Sequence, residues 1–307
     1  MKIVLKIIIN LFIFSFLIFI LEIFFLCKDY QRIYKNVPKE YRKPKIEIFC
    51  NYIKQFYNPT YFSMDSFRRP YGLEYHNKPS IIILGCSYAY GLTLKDEDTF
   101  HYILSKYIKR PVYNYSVSAA SPREMLYLLR NKILFKKFMN VDENNVQYVF
   151  YTYMPHQKTR LFADIYKRSP TFQIINDSNL EYIKPKPFEN LYLYRKIQTY
   201  KAEKNSLNDK NFDLLCLYIN EIKKEATKLF NNSGKQTKFI LLVYSDDNTD
   251  NWQKLEKNGI RVIKLNEITD ADINSLEYQV SENDTHPNNK VWHVIVPALI
   301  KKLKLNN

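Results

Sequence analysis

Glycine is scarce in this chain, at five in 307 residues. A glycine permits a tight turn that other residues resist. Two of the five, Gly85 and Gly91, lie in the single stretch Gly85-Cys86-Ser87-Tyr88-Ala89-Tyr90-Gly91. Cysteine is equally sparse. Cys27, Cys50, Cys86 and Cys216 form no C-x-x-C pair and have no histidine at metal-ligand spacing, which argues against a structural zinc site. A domain of this size needs no disulfide framework either, so the four read as small apolar fillers. Cys27 follows Phe24-Phe25-Leu26 and so lacks the small residues of a lipoprotein-processing site. There is no internal repeat and no low-complexity tract. Acidic residues are outnumbered 31 to 46 by Lys and Arg, a net charge of +15. That balance invites a nucleic-acid or anionic-lipid partner. It equally matches the Lys, Asn, Ile and Tyr that A+T-rich codons specify. No nucleic-acid recognition motif accompanies the charge, and no such partner is expected.

What the chain does have is apolar content. A hydrophobic fraction of 46% and an aromatic fraction of 16% demand a folded core. Ile7 to Leu26 is interrupted only by Asn10, Ser15 and Glu22. About 20 helical residues span a hydrocarbon layer, and Phe24-Phe25-Leu26-Cys27-Lys28 offers no small-x-small cleavage site. The segment 1–27 is read as one uncleaved transmembrane anchor. Its orientation has two readings. The cations after the span (Lys28, Arg32, Lys35, Lys39, Arg42 and Lys43) outnumber Lys2 and Lys6 before it, which by charge count puts the domain in the cytoplasm. A short basic amino terminus before a first apolar segment resembles an export signal, and the adopted expectation is an extracytoplasmic domain, in the periplasm or at the cell surface. Residues 28–78 are basic, Tyr-rich and aperiodic, a stalk that packs onto the domain occupying 79–307.

From Ser80 the pattern becomes regular. Ile81-Ile82-Ile83-Leu84 suits a buried parallel strand, and Val112–Val117, Val146–Tyr153, Phe239–Tyr244 and Ile260–Leu265 are four more. Helices are expected at Asp98–Ile108, from Ser121 onward, at Phe212–Phe230 and at Val291–Leu303. Ser121-Pro122-Arg123-Glu124 carries Ser as N-cap, Pro at N1 and Glu at N3. Roughly 160–210 reads as a polar, irregular insertion. Strands alternating with helices imply right-handed crossovers, a parallel sheet of about five strands and a three-layer α/β/α sandwich.

Two blocks carry chemistry. Ser87 sits in the turn after the first strand, at the carboxyl edge where α/β folds place ligands. Its backbone N–H near a helix start can help bind an oxyanion. Asn283-Asp284-Thr285-His286-Pro287-Asn288 precedes the last helix. A serine hydroxyl needs an imidazole to take its proton, and a carboxylate to fix that imidazole's tautomer. His286 and Asp284 are the residues that can supply both.

This pair of blocks resembles the SGNH (GDSL-like) hydrolase and acyltransferase superfamily, of a membrane-anchored bacterial type. There the first block reads G-D/x-S-x-x-x-G and the last D-x-H-P or D-x-x-H-P. The resemblance covers about residues 60–307. It implies a flavodoxin-like fold and ester chemistry without metal or cofactor, with Ser87 as nucleophile, His286 as general base and Asp284 as orienting acid. Many relatives place the acid three residues before the histidine, where this chain has Asn283. Two middle blocks depart from the pattern. Ser116, in Asn114-Tyr115-Ser116-Val117-Ser118-Ala119, stands where the family has an oxyanion-hole glycine, and it is expected to offer a backbone donor. After the third strand, Tyr153-Met154-Pro155-His156 and then Arg160 replace the usual asparagine. His156 can act as the missing donor, or hold a substrate carboxylate or phosphate together with Arg160. Four residues apart on a helical turn, the two share a face.

The resulting expectation is an esterase or O-acyltransferase that forms an acyl-serine. Its substrate is an acylated, chiefly acetylated, cell-surface glycan or a small ester. The altered middle blocks support an alternative, a catalytically impaired binding or assembly protein for surface polysaccharide. His101 and His293 read as packing or surface residues, the Lys-rich runs 223–228 and 301–304 as solvated helix faces. His76 and Trp252 have no role assigned.

Overall fold

The structure is a computed structural model of the chain. It describes residues 2–34, 67–132, 145–161, 171–175, 179–183, 189, 191–205, 209–230, 236–245, 250–282 and 284–305. Helix α1 (Lys2–Tyr34) contains Val4–Phe25, a stretch of mean hydropathy 2.7 that is long and apolar enough to cross a membrane. The domain then runs β1 (Ser80–Leu84), α2 (Ser87–Tyr90), α3 (Phe100–Ile108), β2 (Val112–Asn114), α4 (Pro122–Arg130), β3 (Val146–Tyr153) and α5 (His156–Arg160). It continues with β4 (Thr171–Ile175), β5 (Asn179–Ile183), α6 (Tyr192–Asn205), α7 (Asp209–Phe230), β6 (Lys238–Val243), α8 (Gln253–Glu256) and β7 (Arg261–Lys264). The last elements are β8 (Gln279–Ser281), β9 (Asp284–Pro287) and α9 (Asn289–Leu303).

The central sheet is wholly parallel, in the order β2-β1-β3-β6-β7. Every residue of β1 is buried, which is why its sequence is unbroken aliphatic rather than alternating. Ile82 and Leu84 face one layer, with Met125 and Leu129 of α4 and Leu215, Ile219 and Ile222 of α7. Ile81 and Ile83 face the other, with Phe100 and Leu104 of α3 and Trp292, Ile295 and Leu299 of α9. The result is a three-layer α/β/α sandwich with the flavodoxin-like strand order. Chain direction across the sheet reverses between β1 and β3. In such folds the crevice at that switch point, beyond the carboxyl ends of the strands, takes the ligand. The turn with Ser87 follows β1, and the turn with His156 follows β3.

Local chemistry explains the element ends. Ser121 and Glu124 form the complete capping box that starts α4. The second strand stops at Asn114, short of the expected Val117, because the Asn114 side chain accepts the amide of Ser116 at 3.0 Å and turns the chain. The expected irregular insertion is ordered where it is described. It contains the antiparallel hairpin β4–β5 and the helix α6. The described end of the basic stalk is part of the packing: Phe67 lies in the core, and Tyr71 bridges to Val112. Residues 28–34 of that stalk continue helix α1, and residues 35–66 lie outside the described residues.

Candidate active site

Gly85 leaves β1 with φ 156°, and a Cβ there would lie 3.1 Å from the Thr152 carbonyl oxygen and 3.2 Å from Ala89 Cβ. Only glycine lets the serine turn pass so close to β3. Gly91 ends α2 at φ 75°, its N–H donating to the carbonyl of Ser87, and a Cβ would meet Thr99 Cγ2 at 2.7 Å. Ser87 opens α2 and is only 4% exposed. As the first residue of the helix its amide has no intrahelical acceptor. Arg68 holds the far end of this turn. Its guanidinium donates to the carbonyls of Tyr90, Gly91 and Leu94, pairs with Asp96 at 2.6 Å and lies over the Tyr90 ring.

The histidine arrives from the opposite end of the chain on β9. Asn288 fixes that strand's exit. Its side-chain oxygen caps α9 through the amide of Lys290, while its NH₂ donates to the carbonyls of Glu277 and Gln279. His286 Nε2 then lies 2.8 Å from Ser87 Oγ, and His286 Nδ1 2.5 Å from Asp284 Oδ1. The carboxylate can only accept, so Nδ1 carries the proton and Nε2 is left as acceptor for the serine O–H. The hydrogen bond from His286 holds the Asp284 carboxyl below the usual carboxylate range. Asn283, the alternative position for the acid, lies outside the described residues.

Tyr88 joins these pieces, and nothing in its sequence context singled it out. Its hydroxyl meets Thr285 Oγ1 at 2.8 Å, tying the serine turn to β9. Its ring lies 5.0 Å from the ring of His286 and 5.7 Å from that of His156. Tyr88→Phe keeps the ring and loses one hydrogen bond, about 1 kcal/mol or roughly fivefold in kcat if His286 is the base. Steady-state kinetics of Tyr88→Phe, Thr285→Val and the double variant should show non-additive losses. Additive ones would mean the two residues act separately.

His156 begins α5, as its place after β3 led one to expect. Its Nε2 is buried and has no hydrogen-bond partner among the described residues. Burial above all, then the positive charge of Arg160, lowers its pKa from 6.5 to about 3, so the ring is neutral. Burial raises the pKa values of Cys86 and Tyr88, and the positive charge of Arg160 works against that rise in both. Two contacts set the position of α5. Gln157 accepts from Tyr151 and donates to the Thr152 carbonyl, and Lys158 forms a buried ion pair with Asp250 at 2.8 Å.

Ser116 was expected to offer its amide to an oxyanion; in the structure that amide donates to Asn114 Oδ1, and the Ser116 hydroxyl is buried with no hydrogen-bond partner among the described residues. Asn114 is the unforeseen residue here. Its NH₂ donates to the Ala89 carbonyl of α2 at 2.8 Å and to His101 Nδ1 at 3.1 Å. His101 is thus a buried bracket: Nε2–H donates to the Arg69 carbonyl while Nδ1 accepts from Asn114. A proton on Nδ1 would face the Asn114 NH₂ donor. Burial, above all, lowers the His101 pKa from 6.5 to about 3. The unfolded state therefore takes up this proton first as pH falls below 6.5. The stability tied to the neutral ring is complete above that pH and declines below it. At pH 5 the loss is about 2 kcal/mol. Thermal melts of wild type and His101→Gln should converge between pH 7 and pH 5. Parallel pH dependences would contradict the assignment.

No family model matches the chain, and no curated protein matches it. Among solved structures it is similar to a lipase, Lip_vut3, from a goat rumen metagenome, at 11% identity and TM-score 0.46, covering 73% of this chain and 97% of that one. It is also similar to an acetyl xylan esterase, Est2A, from the rumen bacterium Butyrivibrio proteoclasticus, at 11% identity and TM-score 0.44 (74% of this chain, 65% of that one). A third similar structure, TesA, is 11% identical with TM-score 0.43, over 74% and 99% of the two chains. At 11% identity the chemistry has to be read from this chain's own geometry.

Proposed function

We infer that this chain is a membrane-anchored serine esterase or O-acyltransferase of the SGNH type. The observation that carries the reading is the continuous relay from Ser87 Oγ through His286 to Asp284, at 2.8 and 2.5 Å. In the acylation step Ser87 Oγ attacks the ester carbonyl carbon while His286 Nε2 takes its proton. The tetrahedral intermediate collapses, His286 returns the proton to the leaving alkoxide, and an acyl-serine remains. Water or a sugar hydroxyl then attacks the acyl-serine, with His286 again as base, and releases Ser87. The Ser87 amide and a His156 N–H are the proposed donors to the oxyanion, and the Arg160 charge favours the anionic intermediate beside them. The preferred substrates are acetyl esters of cell-surface glycans, as the resemblance implies, with α1 anchoring an extracytoplasmic domain. The proposed organisation is an anchor at 1–27, a stalk to 78 and the catalytic domain to 307, with an insertion near 160–210.

One observation favours the second reading, a surface-polysaccharide binding protein with little turnover. The Ser116 amide is taken up by Asn114, which leaves the oxyanion hole one backbone donor short of the family pattern. His156 decides between the two. As an oxyanion donor, its loss in His156→Ala should cut kcat for release of acetate from an acetylated oligosaccharide about 10²–10³-fold with folding intact. A substrate contact would instead raise KM at constant kcat. No Ser87-dependent acetate release from any acetylated oligosaccharide or aryl acetate would leave only the binding reading.

A further inference from the structure

The apolar helix carries a carboxylate three residues before the end of its span, and that carboxylate has a specific job. Glu22 is buried. Its Oε1 accepts the backbone N–H of Leu193 at 2.7 Å, so an acid of α1 caps the first turn of α6. Three residues further along each helix a second contact repeats the pairing: Lys196 Nζ lies over the ring of Phe25. Both contacts advance together, so α6 runs in the same direction as α1 and rises out of the span beside it. The anchor is therefore docked on the domain.

This docking limits how far the candidate site can stand from a bilayer. Lys196 is level with Phe25, the last residue of the apolar span. The rest of α6, from Ile197 to Asn205, rises at most about 14 Å at 1.5 Å per residue. Helix α5, with His156 and Arg160, packs on α6, and the His156 ring is 5.7 Å from Tyr88 beside Ser87. The surface of α6 suits that level. Lys201 is exposed, Lys196 is half-buried, and Tyr200 between them is 68% exposed. Cations and an exposed tyrosine complement an anionic headgroup layer.

We propose that Glu22 seats the catalytic edge on the membrane surface through α6, and that the ester substrate is itself carried by an amphiphile embedded in that membrane. The proposal rests on the serine-esterase reading for the chemistry, and on α1 spanning the bilayer for the seat. Full-length protein in vesicles of phosphatidylglycerol and phosphatidylcholine tests it with two acetyl esters. One is soluble 4-methylumbelliferyl acetate, and the other its analogue with a hexadecyl chain, dissolved in the vesicle. Glu22→Leu keeps the span apolar but removes the cap. It should lower the turnover ratio of embedded to soluble ester about tenfold, because the site loses its high effective concentration of embedded substrate. Glu22→Gln, which keeps an acceptor oxygen, should retain the ratio. An unchanged ratio in Glu22→Leu, with both turnovers lost in Ser87→Ala, overturns the seating and leaves the serine chemistry standing. If neither ester is turned over in a Ser87-dependent way, the serine reading fails and a second measurement decides the seating. A fluorophore on Tyr200→Cys, with Cys27 and Cys50 replaced by Ser, should be quenched by nitroxide-headgroup lipid in the wild-type anchor. No quenching overturns the seating whatever Ser87 does.

Discussion

Ser87→Ala and His286→Ala should each abolish acetyl-ester turnover, with losses in kcat of up to about 10⁶, and the double variant should lose no more than either single one. The reason is geometric. Ser87 Oγ gives up its proton only to His286 Nε2, 2.8 Å away, and an imidazole without the hydroxyl has nothing to activate. The two side chains act as one unit, so removing either removes all of it. Rate measurements on a simple aryl acetate suffice. Additive losses in the double variant would mean that the serine and histidine work in separate steps.

Asp284→Asn should be the next most costly change, about 10³-fold in kcat. An amide facing His286 Nδ1 can present its NH₂ and stabilise the tautomer whose Nε2 bears the proton. Nε2 then cannot accept from Ser87. In a buried triad this error costs about 10⁴. Here the Asp284 side chain keeps 32% of its surface, and water can compensate in part. Asp284→Ala, which leaves the site to water without imposing the wrong tautomer, should cost less than Asp284→Asn. The pH dependence has a definite sign. Hydrogen bonding holds the Asp284 carboxyl low, so its orienting charge persists through the ordinary carboxylate range and fades only as pH falls through that depressed value. A loss below tenfold in Asp284→Asn would mean that a different group, such as a backbone carbonyl, orients the ring.

What the sequence made legible was what short-range pattern encodes. The unbroken Ile81–Leu84 run and the glycine after it locate the serine turn, because a strand buried on both faces has no polar alternation. The capping box at Ser121 predicts the start of its helix to the residue, though not its end at Arg130. Asp284 and His286 could be paired because two residues on a short strand are neighbours whatever the tertiary fold. The contacts that remained hidden join positions far apart. Asn114 reaches Ala89 and His101 across separate elements, Arg68 gathers the carbonyls beyond α2, and Tyr88 meets Thr285 from nearly the far end of the domain. The Ser116 amide donates to the neighbouring Asn114 side chain, and a motif comparison does not show that contact. The strands of the hairpin β4–β5 are too short, at five residues each, for their pattern to stand out. Glu22 looked like an interruption of the anchor, because its partner, Leu193, lies in the insertion.

The most direct test of the central claim needs no substrate. Full-length protein, purified in detergent, is exposed to a fluorophosphonate probe, which bonds covalently to a serine only when a neighbouring base has made it nucleophilic. Wild type should be labelled at Ser87, identified by peptide mass, and labelling should disappear in Ser87→Ala and fall sharply in His286→Ala. Wild-type protein that stays unlabelled, or a label that persists in Ser87→Ala, would contradict the account.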